Sequence, residues 1–178
     1  MRCHYQWCLW LLTSAFCWVN SVRADIPITV TATIVEPVCQ VTGTDGSGLI
    51  TVDFGNVQVQ DINTTQARQP LEMKVTCESA APSGKVLQML LEPVEGGVIT
   101  VGGEQVLGTS LPGLGIRLDD VNGMVVTPGR WTRVSGVDTR VTPDRAAVVM
   151  QASLVAENTN TLEADTFRTS ATLVMTYL

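Results

Sequence analysis

The chain has 178 residues, of which 16% are charged and 45% are hydrophobic, and its formal net charge at pH 7 is −6. A chain of this length fits one ordinary domain that buries its own core without metals. The acidic balance disfavours a nucleic-acid partner, because binding the phosphate backbone requires a basic surface.

Residues 1–24 have the features of a secretory signal peptide. A positively charged start precedes an almost wholly apolar run, Trp7–Val19, and Val22-Arg23-Ala24 offers a small residue at the cleavage point. A membrane anchor is the alternative, but the run is shorter than the roughly 20 residues that span a bilayer. We therefore predict cleavage after Ala24, export, and no membrane insertion of the mature chain.

Residues 25–37 are predicted to form an N-terminal extension that contains a β-strand. Apolar and polar residues alternate strictly here, which places the apolar set on one face of a strand. That set is Ile26, Ile28, Val30, Ala32 and Ile34. Such a strand can add to the edge of another molecule's sheet. The alternative is an ordinary first strand that pairs within its own sheet.

Cys39 and Cys77 are the two cysteines that remain after cleavage. An exported protein meets an oxidising compartment, so these two residues predict one disulfide. The single histidine, His4, leaves with the signal peptide. The mature chain therefore has no Ser-His-Asp or Cys-His pair and no His-ligated zinc. A hydrolase that uses two carboxylates stays formally possible, although no pair of acids stands out.

Residues 38–178 are predicted to be an all-β domain. Short runs of strand-forming residues alternate with Gly, Pro and Asn turns, which favours an immunoglobulin-like sandwich. Asn122-Gly123 is typical of a type I′ hairpin turn, which needs positive φ at both central residues. The predicted strands are Cys39–Thr42, Ile50–Phe54, Leu71–Cys77, Lys85–Glu92, Val98–Val101, Gly115–Asp119, Gly123–Thr127, Ala146–Ala156 and Arg168–Leu178.

The last predicted strand carries one apolar face. Its inward set consists of Ala171, Leu173, Met175 and Tyr177, which alternate with Thr172, Val174 and Thr176. A strand of this kind can border a groove that receives an added strand. Tyr177 has an alternative interpretation as a rim aromatic whose hydroxyl meets water.

Several motifs occur in a characteristic order. The alternating start is followed by a first cysteine about fifteen residues after the cleavage point. Val52-Asp53-Phe54-Gly55 and Leu114-Gly115-Ile116-Arg117-Leu118 come next, and Ala171–Leu178 closes the chain with a penultimate tyrosine. In this order the motifs resemble those of minor pilin subunits of type 1-like chaperone–usher fimbriae, from residue 24 to residue 178.

This resemblance implies an incomplete immunoglobulin-like sandwich that a neighbouring subunit's donor strand completes. The implied partners are a periplasmic chaperone, an outer-membrane usher and neighbouring pilin subunits, with no cofactor and no catalysis. The four inward residues of the last strand would border the groove and contact the chaperone. The implied location is the fimbrium at the cell surface, reached through the periplasm. Ala32 and Asp165 depart from the family pattern, which often has glycine at both positions.

The expected function is therefore that of a structural or adaptor subunit, which polymerises by donor-strand exchange and supports cell adhesion. A single-domain adhesin that binds a host sugar or protein is the alternative. An exported β-sandwich hydrolase is a more distant one.

Overall fold

The computed structural model describes residues 39–77, 80–137 and 144–178. The predicted signal peptide (1–24) and the predicted donor extension (25–37) lie outside the described residues. Within those residues the chain forms nine strands and three single-turn 3-10 helices, which confirms the all-β class. The strands are β1 Cys39–Gly43, β2 Arg68–Cys77, β3 Leu87–Glu95, β4 Val98–Val101, β5 Glu104–Gly108, β6 Leu114–Asp119, β7 Thr132–Arg133, β8 Asp144–Ala156 and β9 Ser170–Tyr177.

The strands make two antiparallel sheets. The larger has the order β1-β2-β8-β6-β5-β4, and the smaller has the order β7-β3-β9. The long β8 lies at the centre of the larger sheet, paired along its length with β2 and β6. Antiparallel sheets of this kind bury one face and leave the other to solvent, which explains the alternating sequence of the strands.

One hydrophobic core joins the inner faces of the two sheets. Met73 and Val75 of β2, Leu154 of β8 and Met89 of β3 are each at most 1% exposed. These residues lie at alternate positions of their strands, as expected when two sheets pack face to face. Burial of such apolar surface is the main favourable term in folding.

Seven of the nine predicted strands correspond to observed ones, and two do not. Gly123–Thr127 makes only an isolated bridge, between Asp119 and Val125. Ile50–Phe54 joins no ladder within the described part of the chain. The sequence interpretation missed β5, although Gly102 and Gly103 have positive φ and turn β4 directly into it. It also missed β7, which has only two residues.

The hairpin turn at Asp120–Gly123 differs from the predicted type I′ turn. Gly123 has φ of 77°, but among the described residues Asn63 is the sole non-glycine with positive φ, so Asn122 lacks it. The Gly123 amide donates to the Asp120 carbonyl, and the Asp120 amide donates to the Met124 carbonyl. The Asp120 carboxylate also accepts from the backbone amides of Asn122 and Met124. An acceptor at the first turn position thus selects a type I turn followed by a glycine bulge.

Asn63 fastens the loop before β2 to the end of β8. Its side-chain amide donates to the Ala156 carbonyl at 2.9 Å, and its side-chain oxygen accepts from the Ala156 amide at 3.0 Å. Its own backbone amide donates to the Leu154 carbonyl. Asn63 has φ of 68°, a conformation that asparagine tolerates better than most residues. Asn63-Thr64-Thr65 matches the Asn-X-Thr pattern of a glycosylation sequon, but the Asn63 side chain is already engaged in these hydrogen bonds.

Candidate functional site

The candidate site is the outer edge of β9, the terminal strand of the smaller sheet. One side of β9 pairs with β3, from Leu87 opposite Tyr177 to Pro93 opposite Ala171. The ladder continues in reciprocal hydrogen bonds between Val86 and Leu178. The other side of β9 forms no ladder with any strand in the described ranges. A strand edge of this kind can pair with a further strand.

The inner face of β9 is buried at its C-terminal end and only partly buried at its N-terminal end. Met175 and Tyr177 are 3% and 7% exposed, whereas Ala171 and Leu173 are only partly buried. Met175 and Tyr177 belong to the core and Ala171 and Leu173 pack against it. The alternating Thr172 and Val174 are exposed, whereas Thr176 is buried. The first half of β9 therefore borders incompletely covered apolar surface.

The segment Ile50–Phe54 has strand-like burial without strand pairing. Ile50 and Val52 are partly buried and Phe54 is buried, whereas Thr51 and Asp53 between them are exposed. Period-two burial is the mark of a strand that packs one face on a core. No backbone hydrogen bond joins this segment to any strand of the described residues. Because no described strand pairs with it, the predicted strand is not observed as one.

This unpaired segment and β9 occupy the same part of the molecule. The Phe54 ring lies 6.1 Å from the Phe167 ring, centroid to centroid, and Phe167 precedes β9 by three residues. Strand β1, which leads into the unpaired segment, has Cα atoms within 8 Å of β9. Two extended segments thus lie near each other, and each has a backbone edge that no described strand occupies. The partly buried Ile50, Val52, Ala171 and Leu173 belong to these segments.

The start of β9 is fixed to its surroundings. The Arg168 guanidinium donates to Glu95 at 2.7 Å, and this hydrogen bond raises the pKa of Arg168. The Thr169 hydroxyl donates to the Glu95 carbonyl, beside the irregular register between β3 and β9. Ser110 exchanges hydrogen bonds with the backbone of Arg168. These contacts fix the residues that lead into β9 next to Glu95 and Ser110.

The predicted disulfide is present between Cys39 and Cys77. The two residues lie directly opposite each other in the antiparallel pair of β1 and β2, and they are 4% and 1% exposed. The bond covalently links β1 to β2 at the first of the described residues. It leaves the segment after β1 free to lie beside the smaller sheet.

The described residues contain neither a candidate metal site nor a candidate membrane-spanning helix. Their His, Cys, Asp and Glu side chains form no group of three or more that could hold a metal ion. In the same ranges no helix is long and apolar enough to cross a membrane.

Comparison with known proteins decides the family. Residues 28–178 match the family model described as fimbrial protein. The chain belongs to the fimbrial protein family. It is 25% identical over 173 residues to the fimbrial-like protein YfcR of Escherichia coli strain K12, which covers 94% of this chain and 91% of that relative.

Solved structures agree on the fold. A subunit from the structure of a chaperone–usher pilus has a TM-score of 0.57 and 15% identity, covering 88% of this chain and 97% of that chain. The P pilus rod subunit PapA has a TM-score of 0.58 and 14% identity, covering 79% of this chain and 99% of that chain. The fold is thus the immunoglobulin-like sandwich of pilins.

Family membership assigns the general function. The fimbrial subunit is a structural component of surface pili, and its family is not one of enzymes. The predictions of an all-β pilin fold, a pilus subunit and a disulfide are confirmed. The predicted roles of the donor residues and of the four β9 residues stay predictions.

Proposed function

We propose that this fimbrial subunit polymerises by donor-strand exchange, with the groove beside β9 as its acceptor site. The single observation that carries the proposal is the open edge of β9 next to the unpaired, inward-alternating segment Ile50–Phe54. A strand placed between them would give both segments a backbone partner that neither has among the described residues. It would also cover Ala171 and Leu173.

The N-terminal extension has the length and pattern of the strand that the groove lacks. Residues 26–34 span about 30 Å when extended, and the eight residues of β9 span about 27 Å. The five apolar donor residues alternate as the inward residues of β9 do. Burying them in a neighbour's groove contributes at most about 10 kcal/mol, because the large side chains contribute about 1.5–3 kcal/mol each.

The same groove calls for a chaperone before assembly. An exposed apolar edge promotes aggregation, so the subunit needs a temporary strand in the periplasm. We infer that a periplasmic chaperone supplies this strand and that an outer-membrane usher exchanges it for the next subunit's extension. The signal peptide predicted at residues 1–24 would deliver the chain to that compartment. The subunit then serves as a structural or adaptor link in the fibre and supports adhesion.

Donor variants test the proposal with a matched control. A chaperone-bound subunit is mixed with donor subunits, and joined pairs that survive denaturing gels without heating are counted. Ile28→Asp with Val30→Asp places unpaired charges in the groove at a cost of several kcal/mol each and should abolish joining. Thr29→Asp with Thr31→Asp puts the same charges on the opposite face and should leave joining largely intact.

Acceptor variants supply the reciprocal test. Leu173→Asp should block acceptance, whereas Val174→Asp, on the exposed face of β9, should not. If the inward and outward variants join equally well at both ends, the extension does not enter this groove and the proposal fails.

A further inference from the structure

A polar cleft on the outer face of the larger sheet lies apart from the β9 edge. Ser153 of β8 lies directly opposite Arg68 of β2 on one side and directly opposite Arg117 of β6 on the other. Opposite residues on neighbouring strands share a face of the sheet. Neighbouring strands are about 4.8 Å apart, so the two arginines flank the serine with their Cα atoms about 10 Å from each other.

The three residues border a cavity of about 350 Å³. Its other walls include Thr64, Val101, Glu104 and Val106, so apolar and polar surfaces are mixed. This volume falls within the roughly 300–1,000 Å³ range of small-molecule sites. A strand added at β9 would extend the smaller sheet, so it would not lie on this outer face of the larger sheet.

Two polar side chains of the cleft lack partners within the described part of the chain. The Ser153 hydroxyl is buried, with the residue 6% exposed, and makes no hydrogen bond. Arg68 takes part in no hydrogen bond or ion pair with described residues, and it is exposed. A buried hydroxyl without a partner is uncommon, because leaving it unpaired destabilises the fold. Its presence beside a free guanidinium points to a ligand that accepts hydrogen bonds.

The remaining polar groups are already engaged. Arg117 binds the Asp119 carboxylate through Nε and Nη2 at about 3.1 and 3.0 Å, and its Nη1 lies 3.5 Å from Glu104. The Thr64 hydroxyl donates to the Asp61 carbonyl. These contacts hold Arg117 and Glu104 in place. Glu104 is 47% exposed at its side chain and retains acceptor capacity for a ligand's hydroxyl groups.

We propose that this cleft binds an acidic saccharide through its carboxylate group. The free Arg68 guanidinium and the Ser153 hydroxyl donate to the carboxylate, and Glu104 accepts from sugar hydroxyls. An anion without hydroxyl groups fits less well, because it offers no donor to the exposed Glu104 carboxylate and meets only its repulsion. The subunit would thereby contribute ligand binding along the fibre in addition to its structural role.

Purified fimbriae that contain this subunit provide the test. A fluorescent tetrasaccharide of alternating glucuronic acid and N-acetylglucosamine is titrated by anisotropy against its neutral counterpart, a tetrasaccharide of N-acetylglucosamine. We expect saturable binding that is at least tenfold tighter for the acidic probe. A fluorescent tetra-aspartate peptide is titrated in parallel. Electron microscopy and immunoblotting establish that each variant is displayed equally.

Four variants separate binding from structure. Arg68→Gln should weaken binding at least tenfold, because a charge-assisted, bidentate hydrogen bond to the ligand's carboxylate is lost. Arg68→Lys should bind at an intermediate level, since lysine keeps the positive charge but cannot form the bidentate contact of a guanidinium. Ser153→Ala should weaken binding several-fold while leaving the melting temperature unchanged or higher, as removing an unpaired buried hydroxyl relieves its cost. Arg133→Gln, an equal loss of charge on the smaller sheet, should bind like wild type.

Three outcomes would overturn the proposal. The first is equal binding of the neutral and acidic tetrasaccharides. The second is binding of the tetra-aspartate peptide as tightly as the acidic saccharide, which would assign the cleft to a protein partner. The third is an Arg68→Gln fibre that binds the acidic probe as the Arg133→Gln fibre does.

Discussion

Leu173 lies directly opposite Leu91 in the ladder between β9 and β3, yet the two residues differ in burial. Leu91 is 6% exposed, whereas Leu173 is only partly buried. Leu91 has β9 on one side, and on its other side the Leu91 carbonyl accepts a hydrogen bond from the Gly129 amide, in the segment that precedes β7. No described strand flanks β9 on its far side. The difference between two leucines at one register position therefore marks the open side of the sandwich.

The disulfide should contribute strongly to stability. For a loop closed by residues 38 positions apart, the loop-entropy model gives about 4 kcal/mol. Cys39→Ser with Cys77→Ser should lower the free energy of unfolding by about that amount in guanidinium titrations of subunit complemented with a donor peptide. Thiol titration of the unfolded, unreduced wild type should find no free thiol. Two free thiols per mature chain would contradict the bond.

Asn63 should be a sensitive position. Asn63→Ala removes two hydrogen bonds to Ala156 and leaves a residue with a Cβ at positive φ. We expect a loss of about 2–3 kcal/mol, since each bond contributes about 1 kcal/mol. Asn63→Gly removes the same bonds but relieves the backbone, so it should be milder than alanine. Thermal unfolding that ranks glycine below alanine would contradict the backbone explanation.

Asp120 should make stability depend on acidity. Burial raises the pKa of Asp120, but hydrogen bonds from Met124, Ser135 and Asn122 outweigh it and lower the pKa below its usual value. A carboxyl whose pKa is lowered on folding contributes stability above its unfolded pKa of about 3.9, and this is lost as pH falls through the folded pKa.

The measurement compares unfolding free energies of wild type and Asp120→Asn between pH 7 and pH 2. The difference should be about 1–2 kcal/mol from pH 7 to pH 5 and should shrink below about pH 4. Glu163→Gln, which removes an exposed carboxylate without a described hydrogen bond, serves as the control for charge. A gap between Asp120→Asn and wild type that is independent of pH would contradict the assignment.

Gly108 should tolerate no side chain. A Cβ at Gly108 would lie 2.2 Å from the Gly96 carbonyl oxygen, and one at Gly96 would lie 2.0 Å from the Gly108 oxygen. Gly108→Ala should therefore cost about 1–3 kcal/mol or more, because the obstructing atoms belong to the backbone. Gly48→Ala, where a Cβ meets nothing within 4 Å, should be nearly neutral. Equal unfolding midpoints for the two variants would contradict this packing.

The sequence predicted the features that rest on local pattern. Alternation gave the inward face of β9, and two cysteines in an exported chain gave the disulfide. Gly102-Gly103 also carried the signal for the β4–β5 hairpin, because two adjacent glycines suit a tight turn with positive φ. The donor role of residues 25–37 stays a prediction, and so do the domain boundaries at residues 24 and 37, because both fall outside the described residues.

Other features depend on tertiary structure and left no readable signal. Asp120 changed the turn at Asn122-Gly123 because its carboxylate captures two backbone amides, which a dipeptide rule does not include. The polar cleft unites Arg68, Ser153 and Arg117 through strand register alone, from positions far apart in the chain. The sequence predicts Ile50–Phe54 as a strand, and the segment has period-two burial, but a ladder also needs a neighbouring strand and none of the described strands pairs with it.

Hydrogen exchange at β9 tests the central claim most directly. The chaperone-free, donor-deleted subunit is kept dilute, and amide exchange of residues 170–178 is followed by mass spectrometry with and without a peptide of residues 25–34. Adding the peptide should slow exchange in β9 and in Ile50–Phe54, but not in β4, the outer edge of the other sheet. A peptide carrying Ile28→Asp and Val30→Asp should have no effect. Unchanged exchange at β9, or protection at β4 in its place, would contradict donor-strand addition at this groove.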